Sequence, residues 1–151
     1  MWRRRFARRG IDPARIELQA ASPHAAYLAG YRQIDIALDP FPRTGGTTTC
    51  DAIWMGVPVV TLAGRRYVER LSATKLAAVG VGELTAACVD EYVDLAVVPA
   101  GDDVRRAEYH RTLQARMARS PLCDPVSLAR ALEDAYRGFW HEYLKQGKTV
   151  R

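Results

Sequence analysis

Two periods of apolar spacing run through the chain. Ile34, Ile36 and Leu38 are separated by Asp35 and Ala37, a strand-like spacing in which Ala37 leaves both faces fairly apolar. Val57 to Leu62 is almost wholly apolar and reads as a strand buried on both faces. Arg15–Leu18 and Glu83–Ala86 are shorter strand candidates. Helical period governs the rest. Residues 3–9 read as the end of a helix that stops at Gly10, before the Asp12-Pro13 turn. Ser22 is an N-cap with Pro23 at the first helical position, opening a short helix over 24–32. Thr47, Thr48 or Thr49 opens a helix carrying Ala52, Ile53, Trp54 and Met55, which stops at Gly56 with Pro58 at the usual offset. A further helix runs from about Val68 to Val79 and ends at Gly80. Two longer helices, near 102–118 and 125–143, are split by Ser120-Pro121.

Strands alternating with helices imply βαβ units and a parallel sheet. Only three or four strands are legible, so the chain reads as the later part of an open, doubly wound α/β domain. With 151 residues it suits one partial domain over 1–151. The last helix carries Leu128, Leu132, Ala135, Tyr136, Phe139, Trp140 and Tyr143 on one apolar stripe, part of which is expected to pack on its own domain.

Composition changes this picture little. Hydrophobic residues at 48% and charged residues at 26% exclude global disorder, and no apolar run is long enough to cross a membrane. The net charge of +5 equals the contribution of Arg3, Arg4, Arg5, Arg8 and Arg9. A nucleic-acid arm and a transit peptide both read on this cluster, but no aromatic-interleaved basic pattern follows it and the segment has no serine. A solvated helix with Trp2 and Phe6 on one buried face fits better. Cys50, Cys88 and Cys123 are scattered, which argues against disulfides and structural zinc and favours small buried side chains. With no secretory signal read, a reducing cytoplasm is the expected compartment.

In open α/β sheets, ligands bind beyond the carboxyl ends of the strands. Three loops are expected there: Gln19–His24, Asp39–Thr49 and Ala63–Arg70. The middle one joins a strand to a helix start through Gly45, Gly46, Thr47, Thr48 and Thr49. Glycines let a ligand approach the backbone. First-turn N–H groups and the helix dipole suit a phosphate, and threonine hydroxyls add donors. A plain Gly-rich turn with a Thr cap reads on the same residues. Asp51 lies four residues after Thr47, on the same helix face. A carboxylate there points past a diphosphate toward a vicinal diol, which gives the layout of a nucleotide; a first-turn carboxylate serving the helix dipole is the competing reading.

The run from Tyr31 to Pro42, then Gly45 through Gly56 to Leu62, resembles the C-terminal catalytic domain of the O-linked N-acetylglucosamine transferases. Bacterial relatives of that family often carry tetratricopeptide repeats, and the plant SPINDLY proteins are related. The resemblance continues through Arg70, Gly80 and Ser120–Asp124 to near Trp140. It implies the later part of the Rossmann-like, nucleotide-binding half of a GT-B glycosyltransferase, with C-terminal helices. It further implies that UDP-N-acetylglucosamine gives its sugar, with inversion, to a Ser or Thr hydroxyl of a protein, and that no metal or other cofactor is required. Carried onto this chain, Thr47 and Thr48 donate to the diphosphate and Asp51 holds the ribose. Ser22 to His24 fall at the loop that contacts the uracil.

The family usually has His at Tyr27, where it helps to hold the donor. Asn is common at Thr44, His stands at Gly46 in animal enzymes, and Glu is common at Asp51 in bacterial ones. The family's diphosphate-neutralising Lys, the first strands of the nucleotide domain and the N-terminal domain map upstream of this sequence. The chain is therefore expected to be a fragment, a truncated gene or one with a misassigned start, inactive by itself, and no catalytic residue is assigned. Two functions follow: the donor-binding part of the transferase, or a non-catalytic remnant that binds nucleotide weakly or docks on other proteins. The expected partners are the donor and a protein acceptor or N-terminal domain. Neither nucleic acid nor membrane is expected, and self-association through residues 136–143 is.

Overall fold

The computed structural model describes residues 2–146, which divide into two compact units at Gly30. The first unit begins with α1 (Trp2–Ala7). Gly10, at φ +75°, turns the chain out of this helix. The Asp12 side chain then caps a 3₁₀ turn at Pro13–Arg15 by accepting from the Ala14 N–H at 2.9 Å. α2 (His24–Gly30) closes the unit. Two expectations fail here. Trp2 and Phe6 are 57% and 38% exposed, because α1 is six residues long and has no buried face. Residues 15–18 form no strand: the chain passes through Ile16 in extended conformation and pairs with nothing in the sheet.

The second unit holds the sheet. Tyr31–Gln33 make a 3₁₀ turn that leads into β1 (Ala37–Leu38). α3 (Thr47–Trp54) carries the chain to β2 (Val59–Leu62), and α4 (Leu71–Val79) carries it to β3 (Thr85–Ala86). The order is β1-β2-β3 and every pairing is parallel: Ala37 opposes Val59, and Thr61 opposes Thr85. The expected strand at 34–38 is thus confined to its last two residues. β2 is the central strand and is buried as its unbroken apolar run requires.

α5 (Val89–Ala100) follows β3 and was not expected. α6 (Asp103–Ala118) and α7 (Pro125–Lys145) complete the described chain. The core joins Ile53 of α3, Val57, Val60, Leu76 and Val79, Leu84, and Leu113 and Met117 of α6, all nearly or wholly inaccessible. Burying each such aliphatic side chain contributes about 1.5–3 kcal/mol.

α7 departs from expectation. Its stripe does not pack on this unit: Leu128, Leu132, Tyr136, Phe139 and Trp140 are all exposed, and only Tyr143 is half-buried. The cysteines depart as well. All three are free thiols; Cys88 and Cys123 are exposed, since each flanks a helix start on the surface, and Cys50 is half-buried. Among the described residues, no helix is long and apolar enough to cross a membrane, and no cluster of His, Cys, Asp and Glu could hold a metal.

Candidate functional site

The carboxyl ends of the three strands open onto residues 39–46, 63–70 and 87–88. The Gln19–His24 loop leaves no strand, so it is not a strand-end loop as expected. Beyond β1 the chain runs through Pro40 to Gly46 and enters α3 at Thr47. Gly46 is the N-cap. It has no side chain to satisfy the first-turn N–H groups, and the space a Cβ would take is open to at least 4 Å. Thr47 and Thr48 are exposed, and Asp51, one turn on, is half-buried. Three of the expected groups therefore share one helix, with Thr47 and Asp51 in the i,i+4 relation.

The three threonines part company here. Thr49 is 3% exposed, and its hydroxyl lies 2.8 Å from that of Ser72. Ser72 Oγ also donates to the carbonyl of Gly45 at 3.1 Å. A serine has one hydroxyl proton, so Thr49 must be the donor to Ser72 and has none left for a ligand. Thr47 and Thr48 are exposed, and Thr48 Oγ1 lies 2.9 Å from where a Cβ on Gly45 would stand.

Beneath the turn lies a polar layer that pattern reasoning missed. Asp39, 5% exposed, accepts from the Gly45 N–H through Oδ1 at 2.8 Å and from the Thr61 hydroxyl through Oδ2 at 2.7 Å. Its backbone N–H donates to Val60, and its carbonyl accepts from the Tyr92 hydroxyl at 3.0 Å. Burial, then the neighbouring Asp39 charge, raises the Tyr92 phenol above its ordinary range, so it stays a donor. Thr44, also buried, donates to the Val68 carbonyl at 2.9 Å. The available signal was Asp39 itself, an acid closing an apolar strand. On α3 the Cys50 thiol is pushed up, chiefly by burial, which disfavours the thiolate.

The second strand-end loop is braced by Glu69. Its Oε2 accepts the N–H groups of Arg65 at 2.9 Å and Arg66 at 3.0 Å, while Oε1 accepts from Arg66 Nε at 2.6 Å. Arg70 Nη1 donates to the Gly64 carbonyl at 3.1 Å. Between the three loops lies a cleft of about 390 Å³, walled by Phe41, Leu62, Gly64, Glu69 and Cys88. None of the residues picked from the sequence lines it. Ser22, His24 and Tyr27 lie in the first unit: Ser22 is in the loop before α2, His24 is its first residue, and Tyr27 is half-buried on it. There the His24 and Tyr27 rings stand 6.2 Å apart.

This geometry can be set beside known proteins. The model of the family Glycosyl transferase family 41 matches residues 2–132. A probable UDP-N-acetylglucosamine–peptide N-acetylglucosaminyltransferase SPINDLY of Hordeum vulgare is 44% identical over 89% of this chain, and that of Arabidopsis thaliana is 42% identical over 79%. A UDP-N-acetylglucosamine–peptide N-acetylglucosaminyltransferase of Caenorhabditis elegans is 30% identical over 89%. The chain spans only 12–14% of the length of these three relatives. A solved Thermobaculum terrenum O-GlcNAc transferase mutant superposes with a TM-score of 0.90 and 35% identity, over 97% of this chain and 28% of that one. The Rossmann-like α/β arrangement with C-terminal helices matches the GT-B fold of such a transferase. By the family model over most of its length and by these likenesses, the chain belongs to glycosyl transferase family 41.

Proposed function

We propose that this chain carries donor-binding elements of a protein O-linked N-acetylglucosamine transferase, as the later part of its nucleotide-sugar domain. In this reading Gly45, Gly46, Thr47 and Thr48 receive the diphosphate of a UDP-sugar, and Asp51 receives the ribose diol. Ser22 and His24 meet the base, and Tyr27 takes the place of the family's donor-holding His. The sugar then passes, with inversion, to a Ser or Thr hydroxyl of a protein. The relatives' names, which state UDP-N-acetylglucosamine and peptide, support the substrate classes. The three free thiols support a reducing, cytoplasmic setting.

One observation carries the reading: two exposed threonines in the first turn of α3, behind a glycine whose Cα faces open space. Such a turn offers an anion the first-turn backbone N–H groups and the positive end of the helix, with the Thr47 and Thr48 side chains beside them. Titration of UDP into the ¹⁵N-labelled chain tests it. Shifts centred on Gly46–Asp51 are expected. Shifts confined to other residues, or none, would overturn the reading.

We also propose that α7 is an association surface. Tyr136, Phe139 and Trp140 are 67%, 69% and 50% exposed. With Leu128 and Leu132 they present on the order of 600 Å² of apolar surface, close to one side of a standard interface. A stripe that is its own complement suits a second copy across a two-fold axis.

A further inference from the structure

Among the described residues six side chains of Asp, Ser and Thr are buried, and five of them gather about one glycine: Asp39, Thr44, Thr49, Thr61 and Ser72. Burying so many polar groups in a small domain is costly unless each is paired, and each of these is. The bonds converge on Gly45. Its N–H is held by Asp39 and its C=O by Ser72, so both peptide groups flanking its Cα are fixed by side chains from elsewhere in the fold. Asp39 comes from the end of β1 and Ser72 from the first turn of α4. Each is itself secured. Thr61 of β2 occupies the second oxygen of Asp39, and the Ser72 N–H lies 3.4 Å from the Thr44 hydroxyl. Gly45 fits so tightly that a Cβ on it would stand 2.5 Å from Thr49 Oγ1 and 3.2 Å from Asp39 Oδ1.

We propose that Asp39 and Ser72 are positioning residues for the donor. They clamp the two peptide groups of Gly45 and so hold Gly46, Thr47 and Thr48 in their binding shape before the ligand arrives. The inference rests on the donor reading above. Its physical content is preorganisation: a turn already fixed loses little conformational freedom on binding, whereas a loose one must be ordered at the expense of affinity. A carboxylate this close to a diphosphate site would repel it if aimed there. Asp39 instead spends both oxygens on Gly45 and Thr61, beneath the turn.

The test compares Asp39→Asn, Asp39→Ala and Ser72→Ala by UDP titration of the full chain, read from ¹⁵N amide shifts of the folded population. Asn keeps the clamp, because its oxygen accepts from Gly45 while its NH₂ donates to the Thr61 oxygen. Asp39→Asn is therefore expected to bind UDP as the native chain does. Asp39→Ala and Ser72→Ala are each expected to lose about tenfold in affinity, with the Val60 and Leu76 amides unmoved. If Asp39→Ala fails to fold, Ser72→Ala carries the test. Native affinity in a folded Ala variant would overturn the clamp and leave the donor reading standing. If the native chain shows no UDP shifts, the donor reading fails instead. Hydrogen exchange at Gly45 then decides the clamp by itself: protection that Asp39→Ala abolishes upholds it, and an unprotected native Gly45 N–H overturns it.

Discussion

Gly56 lies so close to His110 that a Cβ on it would stand 2.8 Å from the His110 carbonyl oxygen. Gly56 also has φ at +83°, in the left-handed region. The residue both ends α3 and lets that helix meet α6 backbone to backbone. Gly56→Ala therefore combines a conformational cost with a steric one, about 2–4 kcal/mol in all. Gly80 provides the control: it has φ +75° but nothing within 4 Å of its virtual Cβ, so only the conformational cost applies, about 1–2 kcal/mol. Urea unfolding of both variants, at unchanged m-value, should rank Gly56→Ala clearly below Gly80→Ala. Equal midpoints would mean that the α3–α6 approach is not tight.

The ribose role of Asp51 predicts a split between two ligands. Asp51→Ala should weaken UDP about tenfold or more, the worth of hydrogen bonds to a charged acceptor. It should leave inorganic pyrophosphate unaffected or slightly favoured, since a nearby negative charge is gone. Thr48→Val should weaken both, because it removes a diphosphate donor. Calorimetry on the two ligands checks this. A loss of both ligands in Asp51→Ala would mean that Asp51 supports the shape of α3 and makes no ribose contact; α3 has no acid in its first turn, so a helix-dipole role does not apply.

Legibility in the sequence followed how local the controlling force was. The opening of α3 within Thr47–Thr49, its stop at Gly56 and the αL end of α4 at Gly80 depend on a residue or two, and were readable, though which threonine comes first was not. The apolar run of β2 was readable too, because a strand buried on both faces needs no partner pattern. α5 was missed. Pro99 interrupts its last turn, and Val89, Val93, Val97 and Val98, all about half exposed or more, look like strand residues. The Arg15–Leu18 segment erred the other way: its apolar alternation had no strand beside it to pair with. At the candidate site, Gly45 to Asp51 stood out by spacing. Asp39, Thr61 and Ser72 did not, since they are 22 and 33 residues apart from Asp39 in sequence and meet only in the fold.

The loop after β2 should be acid-sensitive. Hydrogen bonds from the Arg66 N–H and then the Arg66 side chain hold the Glu69 carboxyl below its ordinary range. A group with a depressed pKa in the folded state contributes fully above its unfolded value, about 4.3, and loses that contribution as pH falls through the folded value. Amide exchange at Arg65 and Arg66, corrected for intrinsic rates, should therefore stay protected down to about pH 4.3 and rise below it. Glu69→Gln should weaken that protection at neutral pH and flatten its response to acid. An unchanged acid profile in Glu69→Gln would show that another group controls the loop.

The exposed face of α7 predicts how the isolated chain behaves in solution. Tyr136, Phe139 and Trp140 recur at i, i+3 and i+4, and the Trp140 and Tyr143 rings stack with centroids 5.8 Å apart. Covering this stripe returns about 25 cal/mol per Å² of apolar surface, so most of its area must be removed from water for association to overcome lost rotational and translational freedom. Sedimentation velocity of the 151-residue chain should show a weight-average mass rising with concentration. Phe139→Glu and Trp140→Glu keep helix propensity at exposed positions, so they should leave a folded monomer. Acrylamide quenching of Trp140, read with Trp2→Phe and Trp54→Phe in place, should fall as the chain is concentrated. A native chain that stays monomeric across the range, with Trp140 quenched equally throughout, would exclude a second copy from this face.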